Sequence, residues 1–468
     1  MALLTLLLLH GCAKRDLDGD LGGAGGATQR FDGTMPVPGA VAADHPLASA
    51  AGAEVLRAGG NAVDAAIAAA LASGVVQPSG SGLGGGGFAL VVPAEGEATV
   101  LDFREVAPAA ASMALYAEPG TSTLGGLAVA VPSEGIGLAE LHRRYGRAPL
   151  STVAAPAIRL ATEGFEMGEH LRRSLEAAPE MKSIFLTGNR RPALAEALRA
   201  WVETGGEAFR SGWVAQDMVD TVVARGGVLT MADFAAYQVK PRTPLRGTYA
   251  GRTVLTMPPP SSGGIALLQV LGTVTPSTSL HCEVEATKHA MADRAAYGGD
   301  PDFARVDVPS LLSPTRLSAF AADCGATTFP PEHYAPAPPP PDDHGTLHIS
   351  AMDAEGVAVA LTTTIYTSFG SRVVTGRSGV VLNNEMDDFA TRLGQPNAFG
   401  LVQGAQNAVQ PGKRPLSSMT PTVVLGVDGE PELAVGGSGG PFIITATMLA
   451  LRAVIDDGAS AVEAVSAP

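Results

Sequence analysis

Hydrophobic and polar positions alternate most regularly in two neighbouring stretches late in the chain. Leu347, Ile349 and Ala351 alternate with His348 and Ser350, Asp353-Ala-Glu-Gly356 supplies turn residues, and residues 357–365 are again rich in β-branched side chains. A period of two on both sides of a turn predicts an antiparallel hairpin. Pairing Met352 with Val357 across the turn carries Thr346 to the level of Thr363, give or take one residue. Thr362, Thr363 and Thr364 therefore surround Thr346.

Helical periods and short apolar runs account for most of the rest. Residues 47–58 read as a helix, Gly59-Gly-Asn61 as its C-cap, and residues 62–75 as a second helix of Ala, Ile, Leu and Val that must be buried all round. A Gly/Ser loop over 78–87 leads into a buried strand over 88–92, and the run Val100-Leu-Asp-Phe ends on Arg104. Amphipathic helices follow between 132 and 234, notably 138–145, 158–163 and 194–202. A strand at 254–256 enters the turn Pro258-Pro-Pro-Ser-Ser-Gly-Gly264, with helices from 265 and over 283–297. Residues 380–388 read as a buried strand ending in two amides and three carboxylates, which places Glu385 and Asp388 at a sheet edge. Residues 396–409 form a loop long enough for a lid. Strands at 422–425 and 432–435 lead through Gly436-Gly-Ser-Gly-Gly440 into a helix over 442–455.

Composition narrows the class. A 46% hydrophobic, glycine-rich chain can bury a large core, and a net charge of −15 with dispersed Lys and Arg argues against nucleic acid or an anionic membrane as partner. At the N-terminus, residues 2–9 form an apolar run too short to span a bilayer, and Leu9-His-Gly-Cys12 is similar to a bacterial lipoprotein signal in which Cys12 is lipidated. No basic residue precedes that run and His10 is unusual there, so a mis-assigned start codon is the alternative. Residues 16–33 read as a polar tether, giving a leader over 1–34. Cys12, Cys282 and Cys324 allow at most one disulfide after lipidation.

Candidate chemistry sits at the ends of these elements. Thr346 opens a strand directly after the Pro-rich run 335–341, which cannot join a sheet and leaves Gly345 accessible. A threonine hydroxyl is a poor nucleophile unless a base assists, and its own freed α-amine can serve if the chain is cut before it. An ordinary hairpin threonine is the alternative. Gly80-Ser-Gly-Leu-Gly-Gly85 has dinucleotide-fingerprint spacing but follows a helix and precedes a strand, the reverse of what that site needs, so its glycines are read as serving close backbone approach. Strand, Gly-x-Ser438-x-Gly, helix suggests an α/β-hydrolase elbow, yet no histidine follows Ser438. What remains there is a pair of amides, Gly439 and Gly440, at a helix N-terminus suited to an oxyanion. The nine histidines show no metal spacing, and no cofactor motif is present.

Taken together, HPLAS, GGNAVDAA, GLGGGGF, LDFRE, MPPPSSGG, ADRAAYGGDPDF, GTLHIS, LNNEMDDF, GKRPLSSMTPT and the late Gly-Gly turn resemble the γ-glutamyltranspeptidase (glutathione hydrolase) family of N-terminal-nucleophile hydrolases, from His45 to Pro468. The resemblance implies an α+β fold, an αββα sandwich of two antiparallel sheets between helical layers. It implies self-cleavage between Gly345 and Thr346, leaving segments 35–345 and 346–468 as an intertwined heterodimer. Thr346 would be the nucleophile, Thr364 would position it, and Gly439 and Gly440 would hold the oxyanion. Arg104, Ser417 and Ser418 would bind a γ-glutamyl substrate's α-carboxylate, and Glu385 and Asp388 its α-amine. No cofactor is implied. Partners would be glutathione-type donors with water, amino acids or short peptides as acceptors, in the periplasm or outside the cell.

This sequence departs from the family at Tyr366, where Asn or Glu is usual, and at Pro441 and Phe442. Tyr366 leaves acylase activity on a glutaryl or cephalosporin-type side chain as an alternative. Family members also continue past the equivalent of Ala467-Pro468, so this sequence is expected to be an incomplete record of an active enzyme; a real loss of central-sheet strands, giving an inactive truncated homologue, is a further alternative.

Overall fold

A computed structural model describes residues 39–325, 327–330, 333–334 and 345–466. The expected leader with Cys12 and the Pro-rich run 335–341 lie outside these residues. Ten strands form two antiparallel sheets: β1 (Gly39–Ala43), β2 (Gly86–Val92), β3 (Thr99–Phe103), β4 (Lys240–Arg242), β5 (Leu245–Tyr249), β6 (Arg252–Thr256), β7 (Gly345–Asp353), β8 (Ala358–Tyr366), β9 (Thr422–Leu425) and β10 (Pro431–Val435). One sheet runs β1-β7-β8-β2-β3-β4 and the other β10-β9-β6-β5.

The pleat sorts side chains into three apolar layers. On β2, Ala89 and Val91 face the helices, with Val359 and Leu361 of β8 and the Ala62–Val76 helix. The intervening Phe88, Leu90 and Val92 pack against Leu255, Val423 and Leu425 between the sheets. Val254 and Val424 face outward onto the Gly263–Leu271 and Phe442–Asp457 helices. Period-two alternation on two stacked sheets, each covered by helices, is the four-layer αββα arrangement.

The Ala62–Val76 helix is buried along its whole length, as its unbroken apolar run predicts. Asn61, expected in the preceding C-cap, instead caps this helix: its side chain accepts from Asp64 N, and Asp64 returns a bond to Asn61 N. The glycines after the helix permit close approach. A Cβ on Gly85 would sit 1.9 Å from the Thr364 carbonyl oxygen, and one on Gly84 2.1 Å from that of Val381.

The hairpin register falls within the expected one-residue margin, with Met352 opposite Ala358 and Thr346 opposite Thr364. Residues 380–388 differ from expectation. They form single bridges, Gly84 with Leu382 and Val374 with Val381, and then a 3₁₀ turn over Glu385–Asp388. The reason lies in two amides. Asn383 donates to Gly84 O and accepts from Ala130 N, while Asn384 donates to Thr367 Oγ1 and accepts from Thr367 N. These side chains substitute for a strand ladder. Glu385 and Asp388 therefore stand on a tight turn rather than at a sheet edge.

Candidate active site

Thr346 and Thr364 share the face of β7 and β8 that points between the sheets, at the end of the hairpin away from its turn. Between Gly345 and Thr346 the register shifts, so that Gly345 pairs with Tyr366 while Thr346 pairs with Thr364, and β8 bulges opposite that peptide bond with Ile365 as its extra residue. Tyr366 holds φ +81°, uncommon for a bulky residue. Thr364 Oγ1 donates to Gly345 O at 2.6 Å, accepts from Tyr366 N at 2.8 Å, and lies 3.0 Å from Thr346 Oγ1. A hydroxyl has one proton, so in the last contact Thr346 is the donor.

Beside these threonines lies a small cavity of about 20 Å³. It brings together Thr346, Thr364, Arg104, Tyr366, Glu385, Asp388, Ser417, Ser418 and Gly440; of the expected site residues of the two segments, Gly345 and Gly439 do not line it, and each directly precedes a residue that does. Gly439 and Gly440 both hold positive φ, +111° and +56°, and their carbonyls accept from Phe442 N and Ile443 N as the helix starts. Ser417 and Ser418 arrive from the loop before β9. Ser262 donates through both its backbone N–H and its hydroxyl to Ser417 O, fixing this loop against the Pro/Ser/Gly turn.

Charge in the cavity is concentrated and buried. The guanidinium of Arg104, 1% exposed, lies 2.6 Å from Glu385 Oε1 and 2.5 Å from Asp388 Oδ2. The expected donor and acceptor groups thus contact each other directly. Burial raises the Asp388 carboxyl to about 6 against the downward pull of Arg104, and pushes Glu385 well above the usual carboxylate range. Burial would lower Arg104, but Glu385, Asp388 and Glu105 together hold it above its ordinary value. Both Glu385 carboxylate oxygens and Arg104 Nε are buried without a hydrogen-bond partner of good geometry among the described residues. Such an atom costs about 1–3 kcal/mol, which a ligand with matching polar groups would offset.

Two residues were not anticipated. Arg294 lines the cavity and donates from Nε to Ser418 Oγ at 3.1 Å. Its sequence signal is periodicity: Ala286 and Ala290 are buried, and Arg294 continues their i, i+4 face of the Leu280–Tyr297 helix. Phe399, from the 396–409 loop, meets the Tyr366 ring edge-on at 4.8 Å over the cavity. Tyr366 OH in turn lies 3.3 Å from Asp387 Oδ2. A larger, mainly apolar groove of about 550 Å³ adjoins the site, sharing Arg294 and Leu401 with it.

The gamma-glutamyltranspeptidase family profile matches residues 48–468. The chain belongs to the γ-glutamyltranspeptidase family. It is 38% identical to the glutathione hydrolase proenzyme of Pseudomonas sp. (strain A14) and 37% identical to that of Escherichia coli (strain K12), covering 92% of this chain and 80% of each relative. Among solved structures it is similar to cephalosporin acylase from Bacillus halodurans, with TM-score 0.77, 28% identity, and coverage of 91% of this chain and 81% of that one. It is also similar to Helicobacter pylori γ-glutamyltranspeptidase, with TM-score 0.61, 34% identity, and coverage of 64% and 96%. The two-sheet fold of these N-terminal-nucleophile hydrolases is the fold described above.

Proposed function

We propose that this chain cleaves itself between Gly345 and Thr346 and then hydrolyses or transfers γ-glutamyl groups from glutathione-type amides. The observation that carries the reading is the arrangement around Thr364, whose hydroxyl bonds the Gly345 carbonyl and contacts the Thr346 hydroxyl at once.

In maturation, Thr346 Oγ attacks the Gly345 carbonyl carbon, the C–N bond breaks, and the acyl group moves to oxygen. Water then hydrolyses that ester. The products are a carboxylate on Gly345 and a free α-amine on Thr346. Segments 35–345 and 346–468 stay together, because β7 and β8 lie between β1 and β2 in one sheet, and β9 pairs β6 in the other.

In turnover, Thr346 Oγ attacks the γ-carbonyl of the donor while its α-amine takes the hydroxyl proton and passes it to the leaving amine. Gly439 and Gly440 are assigned to the tetrahedral oxyanion. Glu385 and Asp388 are assigned to the substrate ammonium. Arg104, Ser417 and Ser418, with Arg294 holding Ser418, are assigned to its carboxylate. The cavity must widen to admit a glutamyl group, and Phe399 over Tyr366 is the contact that yields. Water, an amino acid or a short peptide then takes the acyl group, entering from the apolar groove side.

A second reading is favoured by Tyr366, which fills space beside the acidic turn, and by the acylase neighbour: an acylase that uses donors without an α-amine. Comparing γ-glutamyl with glutaryl anilides separates the two. The primary reading expects the γ-glutamyl compound to be preferred by at least about a hundredfold, since a site built around a buried polar group rejects ligands that leave it unpaired. Equal rates would sink it. The reading extends to a periplasmic or extracellular location, which the Cys282–Cys324 disulfide supports.

A further inference from the structure

Outside the catalytic cavity, three side chains from separate stretches of the chain converge at one corner of the helical layer. Nε2 of His289 lies 2.8 Å, and Nε2 of His333 2.7 Å, from the same Asp323 Oδ2. All three donor atoms fall within 4.8 Å of one another. The histidine spacing along the sequence hides this, because the residues come from the Leu280–Tyr297 helix, the turn after the Pro314–Ala322 helix and a short loop beyond it.

The donors sit on constrained elements. The His289 ring stacks on Phe320, with centroids 4.6 Å apart and planes 14° apart, and meets Tyr334 at 4.9 Å. The Cys282–Cys324 bridge, with Cα atoms 4.9 Å apart, ties the residue after Asp323 to the same helix two turns before His289. His289 Nε2 is buried and faces Asp323, yet it makes no hydrogen bond of good geometry with it. His333, by contrast, bonds the same oxygen and leaves one side of the cluster open to solvent.

We propose that His289, Asp323 and His333 form a binding site for one divalent transition cation of the zinc class. Two imidazole nitrogens and one carboxylate oxygen, with water in the open fourth position, are a donor set that zinc accepts in tetrahedral geometry. Metal–ligand distances of about 2.0–2.2 Å require the donors to stand roughly 3.3 Å apart. The nitrogens, 2.8 and 2.7 Å from the carboxylate oxygen and within 4.8 Å of each other, reach that spacing by swinging away from the oxygen and towards each other. Calcium and magnesium prefer all-oxygen shells, so the nitrogen donors select against them. Without a cation the same atoms form an Asp-centred pair of histidine contacts; on cation binding each Nε2 offers its lone pair to the metal, and any proton it carried moves to Nδ1 of the same ring or is released to solvent.

The site is a clip rather than a second active centre. It joins His333, close before the expected cleavage point, to a helix that carries Arg294 into the catalytic cavity. The self-cleavage reading is not needed for it to bind metal.

The test uses the purified full chain, stripped with chelator and titrated with zinc chloride by calorimetry. The variants are His333→Gln, at an exposed position where folding is undisturbed, and His289→Ala, with circular dichroism to check folding. One zinc per chain is expected, with affinity at least about tenfold lower in either variant. The melting temperature should rise with zinc in the wild type alone, and magnesium should give no binding. Equal zinc affinity and stoichiometry in the wild type and both variants, or no binding to the wild type, would overturn the proposal.

Discussion

Thr364 donates its only hydroxyl proton to the Gly345 carbonyl at 2.6 Å, although Thr346 Oγ1 is 3.0 Å away and equally able to accept it. The bond polarises the carbonyl that the adjacent threonine would attack and leaves the Thr346 proton pointing at Thr364. A strand pair in ordinary register would not bring both atoms to one hydroxyl. The β8 bulge at Ile365 does, by setting Gly345 opposite Tyr366 while Thr346 stays opposite Thr364.

Thr364→Val keeps the shape of the side chain and removes its donor. Self-cleavage should slow by about a hundredfold to a thousandfold, the usual cost of losing one preorganised donor to a developing oxyanion. Thr364→Ser should restore most of the rate. A time course of fragment appearance on denaturing gels measures both. Unchanged cleavage in Thr364→Val would remove Thr364 from the mechanism.

The acidic turn sets a pH dependence. Burial, working against the downward pull of Arg104, raises the Asp388 carboxyl to about 6. Above that pH it is a carboxylate and can hold an ammonium; below it the group is neutral and cannot. The KM for a γ-glutamyl anilide should therefore climb as pH falls through about 6, with kcat changing less. Asp388→Asn should show a high KM that no longer responds to pH in this range. The same raised pKa means the charged form is disfavoured in the folded chain, so this group's cost to stability is absent at low pH and grows as pH rises through about 4 to 6. A KM flat from pH 5 to 8 in the wild type would remove Asp388 from the amine site.

Much of this was legible in the sequence where one physical rule dominates. The alternation across the 345–366 hairpin shows which residues share a face, and the one-residue margin on its register reflects the turn, where the Asp353 side chain accepts from Glu355 N and Val357 N and so shapes the loop. The Ala62–Val76 helix had no polar face and is buried throughout. The glycines at 84 and 85 were read as close-approach residues and meet neighbouring carbonyls. Residues 380–388 misled because hydrophobicity alone cannot show that Asn383 and Asn384 take over the hydrogen bonds of a ladder. The pairing of Arg104 with Glu385 and Asp388 was hidden because it links residues far apart in sequence. Arg294 escaped because an arginine on a mixed helix reads as solvent-facing until the burial of Ala286 and Ala290 is known.

The central claim is that Thr346 becomes an N-terminus by its own chemistry, and one measurement bears on it most directly. Purified wild-type protein, incubated in metal-free buffer, is run on a denaturing gel beside Thr346→Ala, and the smaller fragment is sequenced from its N-terminus. The account predicts two wild-type fragments, the smaller beginning Thr346-Leu-His-Ile-Ser, and a single intact band for Thr346→Ala. An intact wild-type chain that still hydrolyses γ-glutamyl anilides would contradict it.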